Sequence, residues 1–176
     1  MAIVVVGGSE RNVGKTSLIC GLVAALPEFH WIAVKITSHA HGVPDPVWEE
    51  RAAGRGTDTA RYLAAGAQRA FLVAGEDAEL PALVAELQAK VGLAAHLIFE
   101  SNRIVEWLQP DLCLAALDAG EVEAKASWAR FAQRADATVV RADRDEMIAG
   151  ARPVFRLADR ERISAEMQRW LRERLA

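Results

Sequence analysis

Cysteine is scarce in this sequence, which contains only Cys20 and Cys113 among its 176 residues. Both lie inside apolar segments and lack the clustered spacing of a zinc site or of a disulfide framework. We therefore expect both side chains to be buried thiols.

Long apolar runs and an excess of basic charge are also missing. The first apolar stretch, residues 2–6, is too short for a signal peptide or a membrane span, and no basic segment precedes it. The formal net charge of −3 gives no general electrostatic reason to bind nucleic acid or an acidic membrane. We therefore expect a cytoplasmic protein that has neither nucleic acid nor a membrane as its partner.

The remaining composition is that of an ordinary globular protein, with 52% hydrophobic and 26% charged residues. A chain of 176 residues can bury a substantial core, whereas two full domains would be cramped. The sequence shows neither a linker nor an internal repeat. We therefore expect residues 1–176 to form a single domain.

Strand and helix patterns alternate along the chain. Uninterrupted apolar residues predict a buried strand over residues 2–6, and apolar residues at helical spacing from Lys15 to Leu26 predict a helix. Further strands are predicted over residues 31–36, 70–74, 96–99, 112–117, 138–141 and 153–157. Further helices are predicted over residues 58–65, 78–91 and 122–134, with a closing helix whose apolar face is formed by Ile163, Met167, Trp170 and Leu171.

This alternation predicts an α/β fold with three layers (α/β/α), in which helices cover both faces of a mostly parallel sheet. The ligand crevice of such a sheet lies beyond the carboxyl ends of the strands. Residues 37–57 contain two prolines, three glycines and no clear periodicity, so we expect a long loop. Loops of this length often serve as lids or binding loops.

The segment between the first strand and the first helix has most of a phosphate-binding P-loop (Walker A) signature, G-x-x-x-x-G-K-[ST]. Gly14, Lys15 and Thr16 match it, whereas Ser9 stands in place of the first glycine. We expect Gly7-Gly8, just before Ser9, to supply the flexibility instead. The glycine spacing does not form G-x-G-x-x-G, so a dinucleotide-binding Rossmann site is disfavoured.

Because this loop follows an apolar strand and opens a helix, it predicts a nucleoside triphosphate site with Mg²⁺. Lys15 would reach the β- and γ-phosphates, and Thr16 would ligate the metal. The residues expected to contact the nucleotide here are Asn12, Val13, Gly14, Lys15, Thr16 and Ser17. The alternative is an ordinary glycine turn, but Lys15 is poorly placed against the helix dipole unless an anion offsets its charge.

Glu100 ends the apolar strand over residues 96–99, where P-loop proteins hold Mg²⁺ from a second strand. The alternative is a solvated strand end before a helix capped by Ser101 or Asn102. Lys35 lies near the carboxyl end of the second predicted strand and is a second candidate cation for charge on a transferring phosphoryl group. Its alternative is a strand-end lysine that extends into water.

Four further residues are candidates for ligand contact. His39 and His41 alternate in the long loop, where they either contact substrate or phosphate or are simply solvated; two histidines without a nearby cysteine disfavour zinc. Asp58 either acts near Mg²⁺ or, like Thr57, caps the following helix. Arg61, one turn later, either contacts an anion or is a surface residue of that helix without a ligand.

Three blocks of the sequence together resemble the family of molybdopterin-guanine dinucleotide biosynthesis protein B, a P-loop GTP-binding accessory protein of molybdenum cofactor synthesis. These blocks are Gly14-Lys15-Thr16, the segment V-K-I-T-S-H-A-H-G at 34–42, and the segment G-T-D-T-A-R-Y-L-A-A-G-A at 56–67. The resemblance covers residues 1–75. In the family, the strand-end glutamate is usually followed by glycine and an aromatic residue, whereas Ser101 and Asn102 follow Glu100 here.

The resemblance implies a P-loop NTPase fold and a slow GTPase that uses Mg²⁺ and assists a partner enzyme, or acts as a homodimer. It implies nucleotide-phosphate roles for Gly14, Lys15 and Thr16 and a Mg²⁺-linked role for Glu100. It also implies active-site roles for Lys35, His39, His41 and Asp58.

A wider class that includes dethiobiotin synthetase shares the P-loop, the lysine after the second strand and the strand-end glutamate. Its members suggest an alternative function, an ATP-dependent ligase or kinase that acts on a small metabolite. A non-catalytic nucleotide-binding module is a third possibility.

The sequence has no established signal for recognition of the base, since the guanine-reading motif N-K-x-D is absent. Asp118, Arg141 and Asp143 follow or end later strands and either contact a base or ribose or lie on the surface.

Overall fold

The computed structural model of the chain describes residues 1–10, 12–39, 42–92, 95–117, 126–141, 152–159 and 161–175. These residues form nine strands and five α-helices. The strands are β1 (Ile3–Gly8), β2 (Ile32–Thr37), β3 (Val47–Glu50), β4 (Arg69–Ala74), β5 (Leu97–Glu100), β6 (Leu112–Leu117), β7 (Ala137–Arg141), β8 (Val154–Ala158) and β9 (Arg162–Ile163). The helices are α1 (Lys15–Ala25), α2 (Asp58–Ala64), α3 (Leu80–Val91), α4 (Ala126–Arg134) and α5 (Ala165–Leu175).

The strands form one sheet in the order β3-β4-β2-β5-β1-β6-β7-β8-β9. All neighbouring pairs are parallel except β3 with β4 and β8 with β9, at the two edges. The chain therefore enters the sheet near its centre, and β5 lies between β1 and β2. Because these three strands are parallel, their carboxyl ends meet at one edge, where the loop after β1 lies.

Helices cover both faces of the sheet, as the alternating sequence pattern predicted. One buried cluster joins α1, α2 and α5 to one face, with side chains such as Leu18, Tyr62 and Met167. A second cluster joins α3 and α4 to the other face, with side chains such as Leu87 and Phe131. The strands between them are buried on both sides, which explains their nearly continuous apolar sequences. The fold is therefore a three-layer α/β/α sandwich.

Two short edge strands differ from the predictions. Part of the expected loop at 37–57 forms β3, whose residues Val47 and Trp48 are followed by two glutamates. The strand is stabilised by antiparallel pairing with β4 and by an ion pair of 2.7 Å between Glu49 and Arg69. Ile163 lies in β9 and not in the closing helix, which begins at Ala165. The predicted start of the helix at 122–134 lies outside the described residues before Ala126.

Cys20 and Cys113 are free thiols and both are buried, as expected. Burial raises the pKa of each thiol to about 11.

None of the helices in the described part of the chain has the length and apolarity that crossing a bilayer requires.

Gly21 allows α1 to approach the turn that leads into β9. A Cβ atom at this position would lie 2.0 Å from the backbone carbonyl oxygen of Glu161. We therefore expect Gly21→Ala to lower the free energy of unfolding by about 1–2 kcal/mol, because overpacking outweighs the gain in helix propensity. Urea denaturation of the two proteins measures the difference.

Gly54→Ala is the matched control, since a Cβ atom there would have no heavy atom within 4 Å. Its unfolding midpoint should equal that of the unchanged protein. Equal midpoints for Gly21→Ala and Gly54→Ala would contradict the close approach.

Candidate functional site

A cavity of about 610 Å³ lies at the carboxyl ends of β1, β2 and β5. Ten residues singled out in the sequence line it: Asn12, Gly14, Lys15, Thr16, Ser17, Lys35, His39, Asp58, Arg61 and Glu100. Val13 does not line it, because its side chain is buried in the core against α1. His41 lies outside the described residues, as do Asp118, Asp143 and the side chain of Arg141. The structure thus brings together residues from the P-loop, β2, α2 and β5.

The P-loop turns into α1 through two residues in the left-handed region. Asn12 has a φ of 63° and Gly14 a φ of 99°. Gly14 precedes the first helical residue, and within this described segment no side chain caps the helix and no acidic residue occupies its first turn. The first N–H groups of a helix have no partner within it and carry partial positive charge. The start of α1 therefore presents an uncapped, positive end to the cavity.

Gly7 and Gly8 have a role that differs from the expected flexibility. Both belong to β1, and a Cβ atom on Gly7 would lie 2.4 Å from the ring of Phe131 and 2.6 Å from Asn102 Oδ1. A Cβ atom on Gly8 would lie 2.9 Å from the side chain of Lys15. The two glycines are therefore required for close packing around the loop, and the left-handed turns are made further on.

Asn102 holds the start of the P-loop in place. Its side-chain oxygen accepts a hydrogen bond of 2.8 Å from Gly8 N, and its side-chain nitrogen donates one of 2.9 Å to Gly8 O. The carboxamide thus satisfies both backbone polar groups of Gly8, at a position where the sequence differs from the family's usual pattern after the glutamate. Ser9 follows, with its backbone N–H bound to Ala116 O at 3.3 Å. Its buried hydroxyl has no hydrogen-bond partner within the described chain.

Lys15 extends along the loop that precedes it. Its Nζ donates a hydrogen bond of 2.6 Å to the backbone oxygen of Glu10. Burial lowers the pKa of this amine, and the negative charge of Glu100 opposes the effect only in part. An anion close to Nζ would therefore be stabilising, because it would compensate a cation that is poorly solvated.

Glu100 is the centre of the polar network. The sheet register places it beside Val6 of β1 and Lys35 of β2, and it is only 5% exposed. Its Oε1 accepts a hydrogen bond of 2.8 Å from Lys35 Nζ. Its Oε2 accepts one of 2.7 Å from the Thr16 hydroxyl and another from the hydroxyl of Tyr62. Glu100 is therefore not a solvated strand end, which was the alternative interpretation. The other part of that alternative holds, because the Ser101 hydroxyl caps the short turn that follows.

Lys35 lies between two carboxylates and does not extend into water. Its Nζ donates to Asp58 as well as to Glu100. Burial alone would lower the pKa of Lys35, but the charges and hydrogen bonds of these two acids outweigh it and leave the pKa raised. The same ion pair lowers the pKa of Asp58 despite the opposing effect of burial. Both groups are therefore held in their charged forms.

The structure excludes one of the two interpretations of Asp58, because this residue is not the cap of α2. Thr57 is the N-cap of α2, and its hydroxyl accepts a hydrogen bond of 3.1 Å from Ala60 N. Asp58 is the first helical residue, so its carboxylate is free of capping and points to Lys35. Arg61, one turn on, donates to Ser17 at 3.1 Å and to Glu161 at 2.6 Å. Its guanidinium thus links α2 to the P-loop helix and to the turn before β9.

His39 lines the cavity, and its backbone N–H donates to the Thr37 hydroxyl at 3.2 Å. No group of three or more potential His, Cys, Asp or Glu metal ligands occurs among the residues that the structure describes.

Three residues at or near the site were not identified from the sequence. Tyr62 contacts Glu100, Asn102 contacts Gly8, and Glu161 contacts Arg61. Asn102 was the most accessible of them to prediction, because it lies two residues after Glu100, which ends a strand that neighbours β1. Glu161 is separated from Arg61 by 100 residues, and no local pattern connects them.

A central parallel strand followed by a loop that ends in Gly14-Lys15-Thr16 and opens a helix, within a three-layer sandwich, is the arrangement of a P-loop fold. The solved structures that are similar to the chain include two that match it over most of its length. One is LpxK from Aquifex aeolicus in complex with ATP, with a TM-score of 0.58 and 18% identity, over 89% of this chain and 53% of that chain. This chain therefore spans about half the length of LpxK.

The other similar structure is a MobB protein homologue from Bacillus stearothermophilus, with a TM-score of 0.51 and 19% identity, over 99% of this chain and 98% of that one. At these identities the similarity establishes the fold. It confirms the predicted P-loop architecture and agrees with the resemblance drawn from the sequence blocks. No protein-family model matches the sequence, and no curated protein matches it.

Proposed function

We propose that the chain binds a nucleoside triphosphate together with Mg²⁺ in the cavity at the carboxyl ends of β1, β2 and β5. The observation that carries the proposal is the convergence of Lys15, Thr16 and Glu100 on this cavity, although they come from two distant segments. Lys15 and the first N–H groups of α1 would hold the phosphates. Lys35 would stabilise negative charge that develops during transfer or hydrolysis.

The residues present fit Mg²⁺ supplied with the nucleotide. The Thr16 hydroxyl and Glu100 Oε2 lie 2.7 Å apart, and a hydroxyl with one carboxylate is a typical protein contribution to a magnesium–nucleotide site. Such sites complete their coordination with phosphate oxygens and water. When bound, the metal would neutralise charge on the phosphates.

We further propose that the nucleotide is GTP and that the protein is a slowly hydrolysing accessory factor of molybdopterin guanine dinucleotide biosynthesis. The support is the likeness of three sequence blocks to that family, together with the fold shared with the MobB homologue over 99% of this chain. In this function the protein would act in the cytoplasm with a partner enzyme or as a homodimer. Residues 1–176 would serve as one domain, since α1 and α5 pack in the same buried cluster.

A second candidate function is an ATP-dependent ligase or kinase for a small metabolite. It is favoured by the fold shared with LpxK, whose structure contains ATP, and by the position of Lys35 beside the P-loop. In that case turnover would require the added metabolite, whereas the accessory factor would hydrolyse its nucleotide slowly without one.

Titration of the protein with GTP, ATP and CTP in the presence of Mg²⁺ tests the proposal. We expect saturable binding, with GTP tighter than ATP and CTP, and a slow release of phosphate. ATP binding without GTP binding would overturn the proposed nucleotide, and the lack of binding to all three would overturn the proposed site.

A further inference from the structure

Helix α2 brings two polar side chains, one turn apart, into contact with the Lys35–Glu100 pair. Asp58 lies at its first turn and contacts Lys35, and Tyr62 follows four residues later. Residues at this spacing lie on the same side of a helix. Tyr62 is fully buried with 0% exposure, and its hydroxyl donates a hydrogen bond to Glu100 Oε2. Helix α2 therefore contacts both members of the Lys35–Glu100 ion pair, Lys35 through Asp58 and Glu100 through Tyr62.

The hydroxyl of Tyr62 is committed to this carboxylate. Burying a hydroxyl without a partner is costly, and a hydrogen bond to an ionised acceptor is among the strong ones. Because a carboxylate oxygen only accepts hydrogen bonds, the phenol is the donor in this contact and stabilises Glu100.

Both oxygens of Glu100 accept hydrogen bonds from side chains of the network. Lys35 holds Oε1, while Tyr62 and the Thr16 hydroxyl share Oε2. These hydrogen bonds hold the Glu100 carboxylate in one orientation. In that orientation Oε2 faces Thr16, the residue expected to ligate the metal. Removing the phenol hydroxyl would leave the Oε2 side held by Thr16 alone.

We propose that Tyr62 is a positioning residue that fixes Glu100 in the orientation required to bind Mg²⁺ with the nucleotide. This inference rests on the proposed nucleotide and metal site. It differs from a packing role of the ring, which would stabilise the fold without any preference for the metal. A packing role predicts equal effects on binding with and without Mg²⁺.

Tyr62→Phe tests the inference, because it removes the hydroxyl and keeps the buried ring. We expect the Mg²⁺ concentration at half-maximal nucleotide binding to rise about tenfold, the usual effect of losing one charge-assisted hydrogen bond. Nucleotide affinity measured in EDTA should stay within about twofold. Leu63→Ala is the matched control on the same helix, since Leu63 packs against the core cluster and has a purely apolar side chain.

A double-mutant cycle with Glu100→Gln completes the experiment. In that background Tyr62→Phe should change the Mg²⁺ midpoint less than about twofold, because the two residues act as a unit. An unchanged midpoint for Tyr62→Phe alone, or an equal loss in EDTA, would overturn the role of Tyr62 while leaving the site intact. If the unchanged protein binds nucleotide without any dependence on Mg²⁺, the proposed metal site itself fails, and Tyr62 with it.

Discussion

Replacing Lys15 by alanine is expected to weaken nucleotide binding by about 100-fold. Lys15 is the cation of the P-loop, and its Nζ lies within the cavity beside the start of α1. Removing one partner of a buried, hydrogen-bonded charge pair costs about 2–5 kcal/mol, and 100-fold corresponds to about 2.7 kcal/mol of that range. Because burial already lowers the pKa of Lys15, its loss should not destabilise the fold.

Isothermal titration of the variant with Mg²⁺ and GTP measures the loss. Lys90→Ala is the control, since Lys90 lies on α3 in an ion pair with Glu86, away from the residues that line the cavity. It should bind as the unchanged protein does. Full affinity in Lys15→Ala would remove the basis of the P-loop assignment and of every function proposed from it.

The second large effect is expected at Glu100, where glutamine would raise the Mg²⁺ concentration at half-maximal nucleotide binding by about 100-fold. The substitution keeps the size of the side chain and removes the charge that faces Thr16 and Lys35. Changes to groups that only support a metal ligand cost about 10–100-fold in metal affinity, and the loss of a ligand charge should reach the upper end of that range. Binding of nucleotide in EDTA should change far less.

Nucleotide titrations at a series of Mg²⁺ concentrations separate these two effects. Glu86→Gln is the matched control, because it makes the same chemical change in an exposed pair on α3. An identical Mg²⁺ midpoint in Glu100→Gln would show that the carboxylate serves only to hold Lys35. In that outcome the metal would have to be bound by Thr16 and the phosphates alone.

The central part of the fold was predictable from the sequence because its signals are local. Continuous apolar residues marked β1 and helical spacing marked α1, and the structure places both within two residues of the predicted ends. The edge strand β3 was missed because only Val47 and Trp48 precede two glutamates. Its pairing partner, β4, lies some twenty residues later, and a local pattern does not contain that contact.

The candidate site was predictable to the extent that its residues lie at the ends of strands. Parallel strands bring their carboxyl ends to one edge, so Lys35 and Glu100 were both expected near the P-loop. The sequence did not predict that they bind each other, since that depends on β5 lying between β1 and β2. Tyr62 carried no functional signal either, because a buried aromatic residue on a helix usually belongs to the core.

The ion pairs around Lys35 have a consequence for the rate at which a ligand arrives. Lys15, Lys35, Asp58 and Glu100 carry two positive and two negative charges within one small cluster, and these charges cancel. A neutral cluster produces little field beyond the Debye length of about 8 Å at physiological ionic strength. These four side chains would therefore give an approaching triphosphate no electrostatic steering, and their contribution to its association rate should hardly change with salt.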